Sequence, residues 1–404
     1  MTFARWWAEL LPVGRDELTG GYRRYSWSDA DAACRAWFAR TATELGLRTD
    51  YDRNGNLWAW WGRPGAAPAI VTGSHLDSVP DGGAYDGPLG VVSAFAAISQ
   101  LRSAGFRPAR PIGVAAFTEE EGGRFGVACL GSRLLTGSIA PSAARELRDR
   151  DGVTLAAAMA AAGRDASAIG ADDELLAGIG AYVELHIEQG SALAGLGAAI
   201  GVADGIWPHG RWRIDFAGRA DHAGTTRLAD RRDPMLPYAA TVLAARAAAE
   251  SAGALATFGK VVAEPGAANA ISSVVHAWLD ARAPDNPTLE QLVSDVWTAA
   301  QQAADQHGVA VRRRQESLSS EVTFDKGLRD RLVGALGEAG FTAPVLPTGA
   351  GHDAGVLAAR IPTAMLFVRN PTGVSHSPAE RAEAADCEAG VAALTAVLAD
   401  LAGQ

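Results

Sequence analysis

Eight residues gather the chemistry this sequence could do. His75 closes the apolar run "AIVTGSH" and is followed by Asp77; Asp86 stands a few residues on, in "GGAYDGPLG". The run "IGVAAF" leads through Thr118 into Glu119, Glu120 and Glu121, His186 lies in "AYVELHIEQG", and His376 follows "TAMLFV" by a short loop. Imidazoles and carboxylates without a thiolate among them suit zinc, manganese, cobalt or nickel in an open catalytic site. Each residue alone has a plainer reading. A single histidine is usually structural or solvated, and three consecutive glutamates usually mark a charged surface. Here the glutamates directly follow an apolar strand and precede Gly122 and Gly123, and the same pattern of acid or histidine at a strand end recurs four times. The recurrence favours a site.

Short apolar runs ending in polar residues are the pattern of buried parallel strands. Ala69–His75, Ile112–Phe117, "AYVELHI" and Thr363–Val368 all fit it, alternating with helical segments such as "LGVVSAFAAISQLRSAG". Residues Ser28–Leu45 read as a helix, with Ser28 as cap, Gly46 as stop, and Cys34, Trp37, Phe38 and Thr41 on one face. Ligands in open α/β sheets bind beyond the carboxyl ends of strands, where these acids and histidines fall. The middle third reads differently, as β-α-β-β-α-β, the ferredoxin-like plan. It takes in the strand "RWRIDFAG", a helix over Pro234–Ala252, strands near Thr257–Val262 and Ser273–Leu279, a helix over Thr288–His307 and the strand "VAVRRRQ". The fold class expected is α/β, a catalytic domain with a largely parallel mixed sheet over residues 1–205 and 320–404. A ferredoxin-like α+β domain is inserted at residues 206–319.

With 404 residues, two domains are the natural expectation. The formal net charge of −10 argues against nucleic acid or an anionic membrane as partner, since these call for clustered lysine and arginine; Arg312–Arg314 reads as a short basic strand end. Residues Met1–Leu11 include Arg5 and Glu9 and lack the apolar stretch of a secretory signal, and the Ala-rich stretch Leu155–Ala162 is far too short to span a membrane. The three cysteines, Cys34, Cys129 and Cys387, are odd in number and widely spaced; they make neither a disulfide framework nor a metal knuckle, and a reducing cytoplasm fits them.

Taken together, "TGSHLDSVPDGGAYDGPLGV", "FTEEEGGRFG", "VELHIEQG", "DHAGTT", "GAGHDAG" and "GVSHSPAE" resemble the N-carbamoyl-L-amino-acid hydrolase and allantoate amidohydrolase family, within the metal-dependent aminoacylase and carboxypeptidase superfamily. The resemblance implies two divalent metal ions. His75, Asp86, Glu121, His186 and His376 would be their ligands, with Asp86 bridging, Glu121 and His376 on one metal and His186 on the other. Glu120 would be the general base and Asp77 the group that orients His75, while Glu119 has no role and reads as a solvated neighbour. Gln189, Arg211, Asn269 and Arg282 match substrate-binding positions, a guanidinium being suited to grip a carboxylate with two hydrogen bonds. His222 would reach the active site of a partner subunit, so the resemblance implies a homodimer joined through the insert.

The implied chemistry is hydrolysis of the C–N bond of a small ureido carboxylate, allantoate or an N-carbamoyl-L-amino acid, with release of ammonia. Metals about 3.5–4 Å apart would activate a water, Glu120 would relay its proton, and a metal or His222 would stabilise the tetrahedral oxygen. Two departures, Asn269-Ala270-Ile271-Ser272 where the family has Asn-Val-Ile-Pro and Arg227-Leu228 where it has Pro-Met, bear on the substrate rather than the chemistry. The alternatives are an N-acyl-amino-acid hydrolase or dipeptidase of the same superfamily, and a non-catalytic binding protein on this fold. His352 and Asp353 in "GAGHDAG" could open a helix whose N–H groups face an anion, or make a plain capped turn.

Overall fold

A computed structural model describes residues 2–403. The chain divides into two compact units, residues 1–205 with 323–404 and residues 206–322.

In the first unit a mixed sheet is built around four parallel strands. Ala69–His75 pairs in parallel with Ile112–Phe117 on one side and with Ile179–Ile187 on the other, and Thr363–Val368 continues in parallel beside Ile179–Ile187. The apolar runs belong here because both faces of these strands are covered: nearly every residue in them is buried. Antiparallel strands flank these four, Leu57–Trp61 beside Ile112–Phe117 and Ile200–Ile206 beside Thr363–Val368, and three short outer strands bring the sheet to nine among the described residues. The helix Pro88–Ser103 runs through the core, burying Leu89, Val92, Phe95 and Ile98. The helix Asp29–Glu44 packs Trp37 and Phe38 edge-on against Phe95. Its cap is Ser28, whose side chain accepts the Asp31 N–H, so the start signal in the sequence matches the observed helix.

Parallel strands share a direction, so their carboxyl ends lie together. Register sets His75 opposite Phe117, and Phe367 opposite His186. The groups that follow these positions in the chain therefore collect at one edge of the sheet. Among the described residues, no helix is long and apolar enough to cross a membrane.

The second unit is a four-stranded antiparallel sheet. Its order from edge to edge is Ala310–Ser319, His209–Ala217, Val274–Arg282, Leu255–Glu264. Helices Met235–Ala252 and Asn286–Gln306 supply Ala245, Ala249, Leu292 and Val296 to a core shared with Trp212, Ile214 and Phe216 of the sheet. The alternating burial of His209–Ala217 is what places Arg211, Arg213 and Asp215 on the opposite face. The basic residues Arg312–Arg314 lie within an edge strand rather than at its end. A two-residue ladder, Asp221–His222 with Ala270–Ile271, adds a feature too short for periodicity to reveal.

Candidate metal centre

Asp86 is the hinge of the site. Its Oδ1 lies 3.2 Å from Nε2 of His186 and 3.6 Å from Nε2 of His75, while its Oδ2 lies 3.4 Å from Nε2 of His376. Oε2 of Glu121 is 3.5 Å from that same His376 nitrogen. One carboxylate thus faces two ligand groups, His75–Asp86–His186 and Asp86–Glu121–His376, each with ligand atoms within 4.8 Å of one another.

The backbone makes these side chains converge. Gly87, at φ +85, begins the turn into the Pro88–Ser103 helix, and a Cβ there would lie 2.4 Å from the His75 ring. The Nδ1 atoms of His75 and His186 lie 3.1 and 2.9 Å from the main-chain carbonyl oxygens of Asp77 and Ile187. Each therefore carries its proton on Nδ1 and presents Nε2 to the site.

Two observations test whether divalent cations fit. Nε2 of both histidines and Oε1 of Glu121 are buried without a hydrogen-bond partner, as expected of atoms whose partner is an ion. The charges are also crowded. Burial pushes the Glu120 and Glu121 carboxyls well above their usual range, with nearby acids adding to it. Burial opposes charge on His75, but Glu120, Asp77 and Asp86 overcome it and hold that imidazole well above its usual value. Asp86, which burial would raise, is held well below by His186 and His75. Divalent cations among these groups would relieve the crowding. A third group of possible donors, Glu184, His186 and His352, is different. Glu184 is already engaged, accepting Ser74 Oγ–H at 2.7 Å and Ala354 N–H at 3.0 Å.

Glu120 lies beside both groups and belongs to neither. Its Oε2 is 3.6 Å from Nε2 of His75, and its Oε1 accepts the Cys129 thiol at 3.3 Å. The Asp77 carboxylate accepts the backbone N–H of Glu120 at 3.2 Å and of Glu121 at 3.1 Å, so it ties the end of one strand to the loop of the next. Gln189 is drawn into the same place: its amide Nε2 is 3.0 Å from Asp86 Oδ2 and 3.2 Å from His376 Nε2.

Glu119 corrects the reading from sequence. Far from solvated, it is fully buried. Its backbone turns through φ +56, and its Oε1 accepts the N–H groups of Arg124 and Phe125 at 2.9 and 2.6 Å. The loop after the strand folds back over its own carboxylate, which burial pushes up to about 7. A helix does open at His352 and Asp353, and the anion its Ala354 N–H meets is the buried Glu184 carboxylate of the chain itself. The helix there has only five residues, Asp353–Leu357, and Asp353 is buried against Ser132 Oγ. His352, missed as a site residue, is buried with its ring 4.5 Å from that of His186 and with Nε2 unpartnered. Burial, aided by His186, holds its pKa well below the usual value, so it is neutral.

The insert brings its candidates together in two places. Arg211 and Arg282 share one carboxylate: Asp280 accepts Arg211 Nε at 3.3 Å and Arg282 Nε at 3.0 Å. His222 pairs with Ala270 in the two-residue ladder, and the next residue, Ala223, donates its N–H to the Asn269 carbonyl at 3.0 Å. His222 Nδ1 accepts the N–H groups of Gly224 and Thr225, which leaves its Nε2 outward.

A largely parallel sheet with a shared carboxylate between two His/acid groups at its strand ends is the arrangement of a hydrolase fold that could hold a dinuclear metal site. The chain belongs to peptidase family M20/M25/M40, which it matches over residues 71–400. It is 34% identical to an N-carbamoyl-L-amino acid amidohydrolase of Geobacillus stearothermophilus over 96% of each chain. It is also 34% identical to an allantoate amidohydrolase of Bacillus subtilis, covering 93% of this chain and 90% of that one. The crystal structure of a hydantoinase/carbamoylase family amidase from Burkholderia ambifaria superimposes with a TM-score of 0.89 at 31% identity, covering 99% of this chain and 97% of the other.

Proposed function

We propose that this chain hydrolyses the carbamoyl C–N bond of a small ureido carboxylate, allantoate or an N-carbamoyl-L-amino acid, releasing ammonia. The observation that carries the reading is the place of Glu120. It is a buried carboxylate at a strand end, beside two ligand groups that share Asp86, yet in neither of them. The names of the similar amidohydrolases supply the substrate class.

His75, Asp86 and His186 would hold one ion, and Asp86, Glu121 and His376 the other. When bound, such ions supply Lewis-acid polarisation of the carbonyl and a lowered pKa for water. The chain's own residues do the rest. Glu120 takes the proton of the attacking water and hands it to the departing nitrogen. Cys129 fixes one oxygen of that carboxylate and leaves the other towards His75. Asp77 keeps His75, Glu120 and Glu121 in one frame through its carbonyl and carboxylate. Arg282, with Arg211 beside it on Asp280, grips the substrate carboxylate, and Asn269 and Gln189 add polar contacts. His222 stabilises the negative tetrahedral oxygen from a neighbouring subunit. The donor set, without thiolates, suits zinc, manganese, cobalt or nickel.

A homodimer joined through the insert is part of the proposal. The edge strand Leu255–Glu264 exposes Leu255, Val261 and Val262, and the helix packed on it exposes Leu243. The opposite edge carries Arg312, Arg313 and Arg314, charges that discourage strand pairing. Two copies would therefore meet along Leu255–Glu264. The three cysteines are free and buried, which supports a reducing, cytoplasmic location.

Ammonia release is the test. The apoprotein, reloaded with zinc, manganese, cobalt or nickel in turn, is offered allantoate, N-carbamoyl amino acids, 3-ureidopropionate, N-acetyl amino acids and dipeptides. Turnover of ureido substrates with ammonia as product is expected. Amino-acid release from acyl or peptide substrates, with no ammonia from any ureide, would overturn the proposal.

A further inference from the structure

The loop that presents Asp86 and the loop that presents His376 come from opposite ends of the chain, and one side chain joins them. Oε2 of Glu380 accepts the backbone N–H of Tyr85 at 2.8 Å and of Asp86 itself at 3.0 Å. Glu380 Oε1 lies 3.5 Å from Ser375 Oγ, which in turn is 3.3 Å from Asp86 Oδ2. The side chain is buried and belongs to none of the possible ligand groups. On its own loop, the Glu380 N–H donates to the Ser377 carbonyl at 3.0 Å, closing the turn that follows His376. That turn needs fastening. His376 sits at φ +53, a left-handed conformation that a non-glycine residue keeps only where its surroundings hold it. Gly83 leaves the room: a Cβ there would lie 2.3 Å from Glu380 Oε2 and 2.5 Å from its Cβ.

We propose that Glu380 is a positioning residue for the metal centre, clasping the loop of the shared carboxylate Asp86 to the loop of His376. It sets the spacing of the Asp86–Glu121–His376 group without touching ion or substrate. Its loss falls unequally on the two groups, because His75 and His186 stand on the central strands and keep their places. The inference rests on the reading of the site as a two-ion centre, but on no assignment of substrate. A carboxylate that merely stapled two loops would change thermal stability and leave both ions as tightly bound as before.

The test reads metal, not turnover. Apoprotein prepared with a chelator is titrated with Zn(II) against a chromophoric competitor and, in parallel, with Co(II) followed by its visible absorption. Wild type should take up two ions per chain. Glu380→Ala should keep the first and bind the second about 10- to 100-fold more weakly, the range found when outer partners of metal ligands are removed. Its Co(II) spectrum should lose the contribution of the second ion. Glu380→Gln should restore most of the affinity, since an amide oxygen can accept the same two N–H groups. Gly83→Ala, which displaces the carboxylate without deleting it, should weaken the second ion as Glu380→Ala does, and it carries the test if Glu380→Ala does not fold. Two ions held with wild-type affinity by either folded variant would overturn the proposal. A wild-type chain that takes up fewer than two ions would overturn the two-ion reading, and this inference with it.

Discussion

The Cys129 thiol donates to Oε1 of Glu120 across 3.3 Å, and the Cys129 backbone N–H donates to the Glu120 carbonyl at 2.6 Å. One residue, itself held in the left-handed region at φ +56, therefore grips both the main chain and the side chain of the proposed base. Burial, reinforced by Glu120 and Asp353, keeps the thiol well above its usual pKa, so it stays a donor.

Glu120 and Glu121 should separate in mutants. Glu120→Gln should keep its metal and lose turnover by about 10²–10⁴-fold, the usual scale for a lost general base. Glu121→Ala should lose metal instead. Cys129→Val should lower kcat by roughly 2- to 10-fold at nearly constant KM, as the loss of one modest hydrogen bond would, and Cys129→Ser should recover it. Metal content beside steady-state kinetics checks these four variants and Glu121→Gln. The assignment fails if Glu120→Gln arrives without metal while Glu121→Gln stays loaded and active.

Arg282 should discriminate carboxylates. Arg282→Lys keeps the charge but loses the planar fork, so KM should rise by about 10- to 100-fold with a smaller change in kcat. A substrate amidated at its carboxylate should be poor for wild type and no worse for the variant. Equal handling of acid and amide by wild type would remove the role.

The pairing edge should be breakable. Val261→Lys with Leu243→Glu places charges on the exposed apolar surface of strand and helix. Sedimentation velocity should then show a monomer where wild type is a dimer. Wild type sedimenting as a monomer at micromolar concentration would end the dimer proposal.

Shared sites should complement. His222→Ala and Glu120→Gln chains, each inactive alone, are mixed and allowed to exchange. In a hybrid dimer with crossed sites, one site has both Glu120 and His222 intact and the other has neither, so activity should return towards half of wild type. Hybrids that form and stay dead would show that His222 works elsewhere or within its own chain.

Asp52 should leave a mark on the pH dependence of stability. Burial pushes its carboxyl up to about 6, outweighing the N–H groups of Asn56 and Asn54 that bond to it. The folded state thus holds a proton that the unfolded chain releases near pH 4. This contribution is most favourable below about pH 4 and is lost as pH rises through about 6. Two pKa units set a ceiling of about 3 kcal/mol, lowered by the part of the side chain that water still reaches. The difference in stability between wild type and Asp52→Asn should shift against wild type between pH 4 and 6.5. A flat difference would show that Asp52 titrates normally.

Much of the fold was legible because the four parallel strands are apolar on both faces and stop at polar residues. The insert was legible because His209–Ala217 alternates cleanly. Less visible were the antiparallel strands Leu57–Trp61 and Ile200–Ile206. "LWAWW" is buried almost throughout and shows no alternation, and "IGVADGI" contains two glycines. Glu119 misled because runs of acids are usually solvated; only the fold shows two backbone N–H groups turned onto it. Glu380 stood in plain view in "GVSHSPAE", but its partners, Tyr85 and Asp86, are distant in sequence. His352 offered a signal in "GAGHDAG" that pointed to backbone groups, while the structure puts its ring against His186.

The strand Thr363–Val368 lies between Ile179–Ile187 and Ile200–Ile206, segments a ribosome makes long before it. Until that late strand arrives, the two earlier ones have a gap where their common neighbour belongs, and the whole insert is synthesised in the interval. The insert, with a core of its own, has everything it needs to fold while the gap stays open, in keeping with the tendency of domains to fold as units during synthesis. His376 emerges after the closing strand, so the centre cannot be assembled piecemeal from the front of the chain. A polypeptide cut short after the insert would carry His75, Asp86, Glu121 and His186 on an unfinished sheet with bare strand edges, a species prone to aggregate rather than to work at half strength.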